Sequence, residues 1–115
     1  MSQSLKAVLI VATAFLGGCS SADPKAQRAD AIEDNAQAQA DAIKRAASTQ
    51  ADTLEDSAMR LENSAEQVGG YEGKSLDVRA EAAHKQSDIV RDQGSARADA
   101  VRTEGAARAK ELRSQ

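Results

Sequence analysis

The chain has 115 residues and a formal net charge of −3, and 41% of its residues count as hydrophobic. Twenty-five of these are Ala, and of the 22 larger ones nine fall within the first 19 residues, which leaves 13 for residues 20–115. Small side chains bury little apolar area, and a core must bury a great deal of it to offset chain entropy. The composition therefore argues against a compact enzyme domain with an enclosed pocket and predicts helix, coiled coil or partial disorder.

The N-terminal segment has the pattern of a secretory signal. A polar start carrying Lys6 precedes the apolar run AVLIVATAFL (7–16), and small residues follow the run. A run of this length is too short for a membrane-spanning helix, which needs about 20 residues. It has the length of the central region of a signal peptide, so we predict a signal helix over 1–18.

The residues that end this run, Leu16-Gly17-Gly18-Cys19, resemble the lipobox of bacterial lipoproteins. The resemblance implies cleavage by a dedicated peptidase before Cys19, a diacylglycerol on the Cys sulfur, and an acyl chain such as palmitate on the new amino terminus. A thiolate is the side-chain nucleophile best suited to forming a thioether, and two or three acyl chains attach a protein durably to a membrane. The alternative is a conventional signal cleaved after Ala12-Thr13-Ala14, which leaves Cys19 as a free thiol.

The residues around Cys19 also bear on localisation. Ser20, rather than Asp, after the lipidated Cys resembles the outer-membrane sorting pattern of Gram-negative lipoproteins. We therefore expect a lipid-anchored protein of the bacterial cell envelope, attached to the outer membrane and facing the periplasm. Cys19 is the only Cys and has no partner for an internal disulfide. Residues 19–25, which include Pro24, are predicted to form a lipidated tether.

An eleven-residue repeat accounts for much of the chain after the tether. Eleven residues over three helical turns keep an apolar stripe on one face of a helix, and Ala, Glu, Gln, Lys and Arg are strong helix formers. The clearest copies are ADAIEDNAQAQ (29–39), ADAIKRAASTQ (40–50), ADTLEDSAMRL (51–61), SDIVRDQGSAR (87–97) and ADAVRTEGAAR (98–108).

Three Gly within 69–73 interrupt the repeats and predict a helix end followed by a turn. We predict an all-α fold with one helix over 26–68, a Gly-rich turn at 69–74, and a second helix over 75–113 capped by Ser75. The repeat phase slips between residues 75 and 86, so we expect less regular packing in that segment.

A short connection favours two antiparallel helices, that is, a helical hairpin or coiled coil. Folding the chain back within the turn lets Ile43 meet Ala98 and Ala47 meet Gly94, so that larger residues face small ones. Close approach would explain the Gly residues of the second stripe, each of which costs about 1 kcal/mol in a helix interior. The alternative is an internal duplication without pairing. The predicted helix-pairing seam comprises Ile32, Ala36, Ile43, Ala47, Leu54, Val90, Gly94, Val101, Gly105 and Leu112.

Charged residues give weaker guidance on pairing. In the predicted register Glu33 flanks Arg108, which is attractive, and Lys44 flanks Arg97, which is repulsive. Each exposed pair of this kind contributes only about 0.2–1 kcal/mol to stability.

Three arginines, Arg91, Arg102 and Arg113, recur every eleven residues in the second half of the chain. A hairpin would return Arg108, Lys110 and Arg113 to the lipid-anchored end of the molecule. Two interpretations are open there: contact with anionic lipid headgroups, or an ordinary solvated face.

The sequence carries no pattern for catalysis, a metal or a cofactor. His84 is the only His and Cys19 is assigned to lipid, so we expect no His/Cys metal site. The Gly residues of the turn lack the Lys-Ser/Thr ending of a phosphate-binding loop. The net charge of −3 and the scarcity of aromatic residues argue against nucleic-acid binding. We expect neither an enzyme nor a cofactor.

These features predict an envelope protein with a structural, spacer or partner-binding role, associating with itself or with another envelope protein. The Ala-rich helices behind Cys19-Ser20-Ser21 are similar in style to murein-type lipoproteins. A murein-type lipoprotein resembles one continuous helix that ends in a Lys joined to peptidoglycan. This chain bends and ends in Arg113-Ser114-Gln115, so we do not expect covalent wall attachment. The second hypothesis is an amphipathic lipid-surface-binding or stress-protective protein, because its repeats also look like those of apolipoprotein-type and desiccation-associated helices.

Overall fold

The computed structural model describes residues 23–115. These residues form two α-helices, α1 (Pro24–Val68) and α2 (Gly70–Ser114), each of 45 residues and packed against the other. Within 23–115 there is no strand, and the predicted all-α helical hairpin is confirmed. At 1.5 Å per residue each helix is about 68 Å long. The predicted signal peptide, the lipobox and the first part of the tether lie outside the described residues.

The first helix begins two residues before the predicted boundary, at Pro24 rather than at residue 26. The Asp23 carboxylate accepts a hydrogen bond of 3.0 Å from the backbone N–H of Lys25. Asp is favoured at this position because the first N–H groups of a helix lack intrahelical acceptors, and Pro is favoured next because it has no N–H to leave unpaired. The end of the predicted tether is therefore helical.

One residue, Gly69, connects the two helices. Its N–H donates to the carbonyl of Ala65 at 2.9 Å, and its own carbonyl accepts from the N–H of Gly73 at 2.9 Å in the first turn of α2. The φ angles of Gly69 and Gly70 are +67° and +62°. Residues with a Cβ adopt such angles only with strain, so this pair of glycines reverses the chain direction.

The predicted turn over 69–74 is therefore too long, and α2 begins at Gly70 rather than at Ser75. Ser75 lies inside α2 and does not cap it. Gly73 serves packing instead of the turn, because a Cβ there would lie 2.8 Å from the Ala65 carbonyl oxygen. At its other end α2 runs to Ser114, one residue past the predicted boundary.

The residues buried between the helices are small. Ser87 has the largest fully buried side chain among the described residues. Small residues let two helix axes approach closely, so backbone proximity rather than interlocking large side chains provides the contact. The buried residues are Ala29, Ala36, Ala40, Ala51, Ala58 and Ala65 of α1, and Gly73, Ala80, Ser87, Gly94, Ala98, Gly105 and Ala109 of α2.

The spacing of these buried residues changes along the hairpin. Near the open end it follows the eleven-residue repeat, as in Ala98 and Ala109. Near the turn it becomes seven residues, as in Gly73, Ala80 and Ser87. Seven residues over two turns also keep a stripe on one helix face. The buried stripe therefore continues through residues 75–86, where the sequence predicted less regular packing.

We predict that Gly69→Ala destabilises the hairpin by about 1–3 kcal/mol, because only Gly readily populates its backbone conformation, φ +67° and ψ −176°. Gly69→Asn should lose a similar amount of stability, since Asn tolerates the left-handed helical region of backbone angles but not the conformation of Gly69. Urea unfolding followed by circular dichroism measures both. The control Ser64→Ala, at an exposed position of α1, should change the free energy of unfolding by no more than about 0.5 kcal/mol. Wild-type stability in both Gly69 variants would contradict the role of Gly69 in reversing the chain direction.

Candidate functional site: the seam and two flanks of the hairpin

The helices approach each other closely at two Gly–Ala pairs, one repeat apart. A Cβ on Gly94 would overlap the Cβ of Ala47, and a Cβ on Gly105 would overlap the Cβ of Ala36. The sequence predicted the pairing of Ala47 with Gly94 and placed Ala36 and Gly105 in the seam. The repeats of α1 and α2 therefore face each other, and the alternative of a duplication without pairing does not describe this hairpin.

The predicted seam residues divide by size. Ala36, Gly94 and Gly105 are buried between the helices. The larger residues do not fill the space between the backbones, because the Gly–Ala pairs bring those backbones too close for a branched side chain. They lie instead along its edge. The half-buried seam residues are Ile32, Ile43, Ala47, Leu54, Val90, Val101 and Leu112.

The seam separates two different flanks. Ile32 and Val101 line an open groove at one edge, while Arg102 meets Asp41 at the other. Residues eleven or seven apart share a helix face, so each edge extends along the hairpin. We call the first edge the apolar flank and define it by its half-buried residues: Ile32, Ile43, Leu54 and Leu61 of α1, and Leu76, Ala83, Val90, Val101 and Leu112 of α2.

The second edge, which we call the ion-pair flank, is crossed by three arginines of α2. Arg91, Arg102 and Arg113 lie eleven residues apart, as do the three Asp residues of α1 that they bind. Because α2 is antiparallel to α1, a step of one repeat forward along α1 corresponds to a step of one repeat back along α2. Each repeat therefore supplies one Arg–Asp pair across the helices, which we call a rung. The nitrogen–oxygen distances are 2.6 Å for Arg113–Asp30, 3.1 Å for Arg102–Asp41 and 3.1 Å for Arg91–Asp52.

The residue three positions after each Asp adds a second contact to the outer rungs. Glu33 and Glu55 occupy this position there, and each accepts from the arginine of its rung, at 3.0 and 2.6 Å. Lys44 occupies it in the middle rung and cannot accept a hydrogen bond. Arg102 instead donates to the side-chain oxygen of Gln37 at 2.8 Å.

Ser87 is the fully buried polar side chain among the described residues. Its hydroxyl donates to a Glu55 carboxylate oxygen at 3.2 Å and accepts from the Arg91 guanidinium at 2.9 Å. The corresponding positions of the next two repeats are Ala98 and Ala109. Ser87 therefore distinguishes one rung from the others, and its hydroxyl is fully engaged by that rung.

These contacts hold the carboxyl groups in their ionised form. A hydrogen bond from Arg113 lowers the pKa of Glu33, and a hydrogen bond from Arg91, supplemented by one from Ser87, lowers the pKa of Glu55. The same carboxylates raise the pKa of Arg113 and of Arg91. Arg stays charged at any ordinary pH, so the carboxyl groups are the ones that titrate. Because the pairs are partly solvated, each stabilises the fold only modestly.

Sequence reasoning noticed the recurring arginines Arg91, Arg102 and Arg113 but assigned them no partners on α1, and it chose the wrong arginine for Glu33. It placed Glu33 beside Arg108, whereas Glu33 binds Arg113, and Arg108 binds Glu104 of its own helix. An extended Arg side chain reaches about one turn along the neighbouring helix, so the nearest residue in the register is not the one it binds. The signal in the sequence was the matching eleven-residue spacing of the Asp residues of α1.

The remaining described residues add little chemistry. His84 contacts Glu62 across the helices at 3.0 Å. Within 23–115 no cluster of His, Cys, Asp and Glu has the arrangement of a metal site, and neither helix there is long and apolar enough to cross a membrane. No protein-family model, curated protein or solved structure matches the chain.

Exchanging the residues of one Gly–Ala pair tests the close approach. We predict that Gly94→Ala destabilises the hairpin by about 1–3 kcal/mol, because the new Cβ overlaps Ala47 and overpacking costs more than the helix propensity gained. Adding Ala47→Gly should restore most of the wild-type stability. Urea unfolding of the two single variants and the double variant forms the cycle. Ser95→Ala, at an exposed position beside the seam, is the control. Additive effects of the two substitutions would refute the contact.

The lowered pKa values of Glu33 and Glu55 make stability depend on pH. Their contribution is present above the ordinary Glu pKa of about 4.3 and is lost as the pH falls through the folded-state values. We therefore expect the melting temperature to fall as the pH drops below about 4.3.

Glu55→Gln should lower the melting temperature at pH 7 and weaken its pH dependence, as followed by circular dichroism. Glu81→Gln is the matched control, because the pKa of Glu81 is lowered by Lys85 of its own helix and this pair does not join α1 to α2. An equal decrease in melting temperature at pH 7 in the two variants would contradict a role for the Arg91 rung in holding the helices together.

Proposed function

We propose that this protein is a lipid-anchored protein of the bacterial cell envelope whose hairpin acts as a spacer and partner-binding module. The observation that carries the proposal is the sequence Leu16-Gly17-Gly18-Cys19, which follows an apolar run and precedes a helical hairpin by a few residues. Acylation at Cys19 would attach the chain to the outer membrane, with the hairpin in the periplasm.

The shape of the hairpin suits an anchored spacer. Arg113, near the end of α2, binds Asp30, near the start of α1, so the two outer ends of the helices lie together. The Gly69 turn lies at the far end, about 68 Å away. The link from Cys19 to Asp23 spans at most about 14 Å when fully extended. An acylated Cys19 would therefore keep the open end of the hairpin beside the membrane.

The side chains between the helices support a structural role. The buried residues are Ala, Gly and Ser87, and the Ser87 hydroxyl is already engaged by Glu55 and Arg91. What the hairpin offers to other molecules is its long outer surface. We propose that it acts by association, with a second copy of itself or with another envelope protein.

The second hypothesis, a helical protein that folds on a lipid surface, receives less support. The small residues of its apolar stripe are already covered by the opposite helix, and three arginine rungs join the two helices. The contact of Arg108, Lys110 and Arg113 with anionic headgroups stays a proposal. Such headgroups would compete with the carboxylates that bind Arg108 and Arg113.

Metabolic labelling tests the anchor. We predict that the full chain, expressed in a Gram-negative host with labelled palmitate, incorporates the label, that Cys19→Ser abolishes incorporation, and that Ser20→Ala retains it. Cys19→Ser should also lower the membrane-bound fraction by about tenfold, since the acyl chains supply the attachment. Mass spectrometry of the amino-terminal peptide should find a diacylated or triacylated Cys19. An unlabelled protein that begins after Ala14 would contradict the proposal.

A further inference from the structure

We propose that the apolar flank is a homodimer interface, through which two hairpins pack as a four-helix bundle. The inference deepens the proposed function, since it names a second copy of the chain as the partner with which the hairpin associates. It draws on the described helices alone and does not depend on acylation of Cys19.

The larger apolar residues are only half covered within one hairpin. No side chain larger than Ser87 is fully buried in the described residues. The Ile, Leu and Val residues of the apolar flank instead lie half-buried along both helices. A two-helix layer covers such residues from one side only, and a second layer of helices is the usual way to cover the other.

The area of the apolar flank matches what a stable dimer needs. The flank runs the length of the hairpin, about 68 Å, and two packed helix axes are about 8–10 Å apart. A face of these dimensions amounts to about 700 Å² on each copy. Specific interfaces bury about 800 Å² per partner.

The distribution of charge on α1 also fits an interface. At about 100° per residue, every carboxylate of α1 falls on the ion-pair flank or on the back of the helix. Between Arg28 and Arg60, the residues bordering the apolar flank are uncharged, as protein–protein interface cores favour. The exposed ones include Asn35, Gln39, Ala46, Gln50 and Ser57.

The corresponding border of α2 is different and complementary. It carries Arg97, Glu104 and Arg108. In a bundle whose two-fold axis runs along the helices, α1 of one copy lies antiparallel to α2 of the other. The uncharged amides of α1 then meet the Arg and Glu residues of the second copy, which donate to and accept from amides.

The spacing of the apolar flank favours a second copy over an unrelated partner. Ile32, Ile43 and Leu54 recur every eleven residues, as do Val90, Val101 and Leu112, a step of about 16.5 Å along the helix. A second copy presents the same series of steps, in a self-complementary two-fold contact. The apolar flank is also continuous with the existing interface, because Ile32 and Val101 share a groove with Ala36 and Gly105.

Sedimentation equilibrium of the full chain in a density-matched nonionic detergent tests the dimer. We expect the wild type to dimerise with a dissociation constant of about micromolar or below, as interfaces of this size do. Gln39→Lys with Gln50→Lys places like charges at exposed positions bordering the apolar flank and should weaken the dimer by about tenfold or more. The matched control, Gln27→Lys with Gln67→Lys, adds the same charge on the back of α1, which faces away from the seam. It should leave the dissociation constant within about threefold.

A second pair of variants removes apolar contact rather than adding charge. Ile43 is half-buried on the apolar flank, whereas Ile89 is 53% exposed on the back of α2. Ile43→Gln should weaken the dimer by about tenfold or more, and Ile89→Gln should not. Circular dichroism shows whether each variant stays helical. If Ile43→Gln loses helix, the Lys variants, which alter only exposed residues, decide the question.

Three results would overturn the inference: a wild type that is monomeric at about 100 μM, a dimer weakened equally by the two Lys pairs, or a dimer weakened by neither. The last result would indicate association through another surface, such as residues 1–18. A monomer that still carries palmitate on Cys19 would overturn this inference and leave the proposed anchor intact. A dimer that carries no palmitate on Cys19 would support this inference and contradict the proposed anchor.

Discussion

The close approach of α1 and α2 at the Gly–Ala pairs is the constraint on which the rest of the hairpin depends. A Cβ on Gly94 or Gly105 would overlap an Ala of the opposite helix, so no branched side chain fits between the backbones at these points. The larger apolar residues are therefore displaced to one edge and the long arginines cross the other. The two chemically distinct flanks thus follow from a seam built of the smallest residues.

The three arginine rungs and the Gly69 turn act on the register of the helices more than on their stability. Partly solvated ion pairs contribute little free energy each, but all three fit only when the eleven-residue repeats of both helices are aligned. Lys44 and Ser87 make the repeats unequal. Shifting α2 by one repeat would leave one outer arginine without an Asp partner, because the next positions of the Asp series, 19 and 63, are Cys and Asn.

Much of the fold could be predicted from the sequence, because helical periodicity and residue size are local properties. They predicted both helices and the pairing of Ala47 with Gly94. Backbone angles are not visible in composition, so the glycines predicted a six-residue turn, whereas only Gly69 separates the two helices. The rungs were missed because the reach of an Arg side chain depends on the distance between the helices, which the sequence does not state. The role of Ser87, at a position where the next two repeats have Ala, could not be inferred from the sequence, because it depends on the contact with Glu55 across the helices.

The most direct test of the central claim is the proximity of the Ala47 methyl group to the α-protons of Gly94 in solution. Nuclear Overhauser spectra of the chain with labelled Ala methyls and Gly α-carbons measure it, and dilution with unlabelled chain separates contacts within a copy from contacts between copies. We expect strong intramolecular cross-peaks for Ala47–Gly94 and for Ala36–Gly105, one repeat away. Helical chemical shifts at all four residues without these cross-peaks would contradict the close-approach seam.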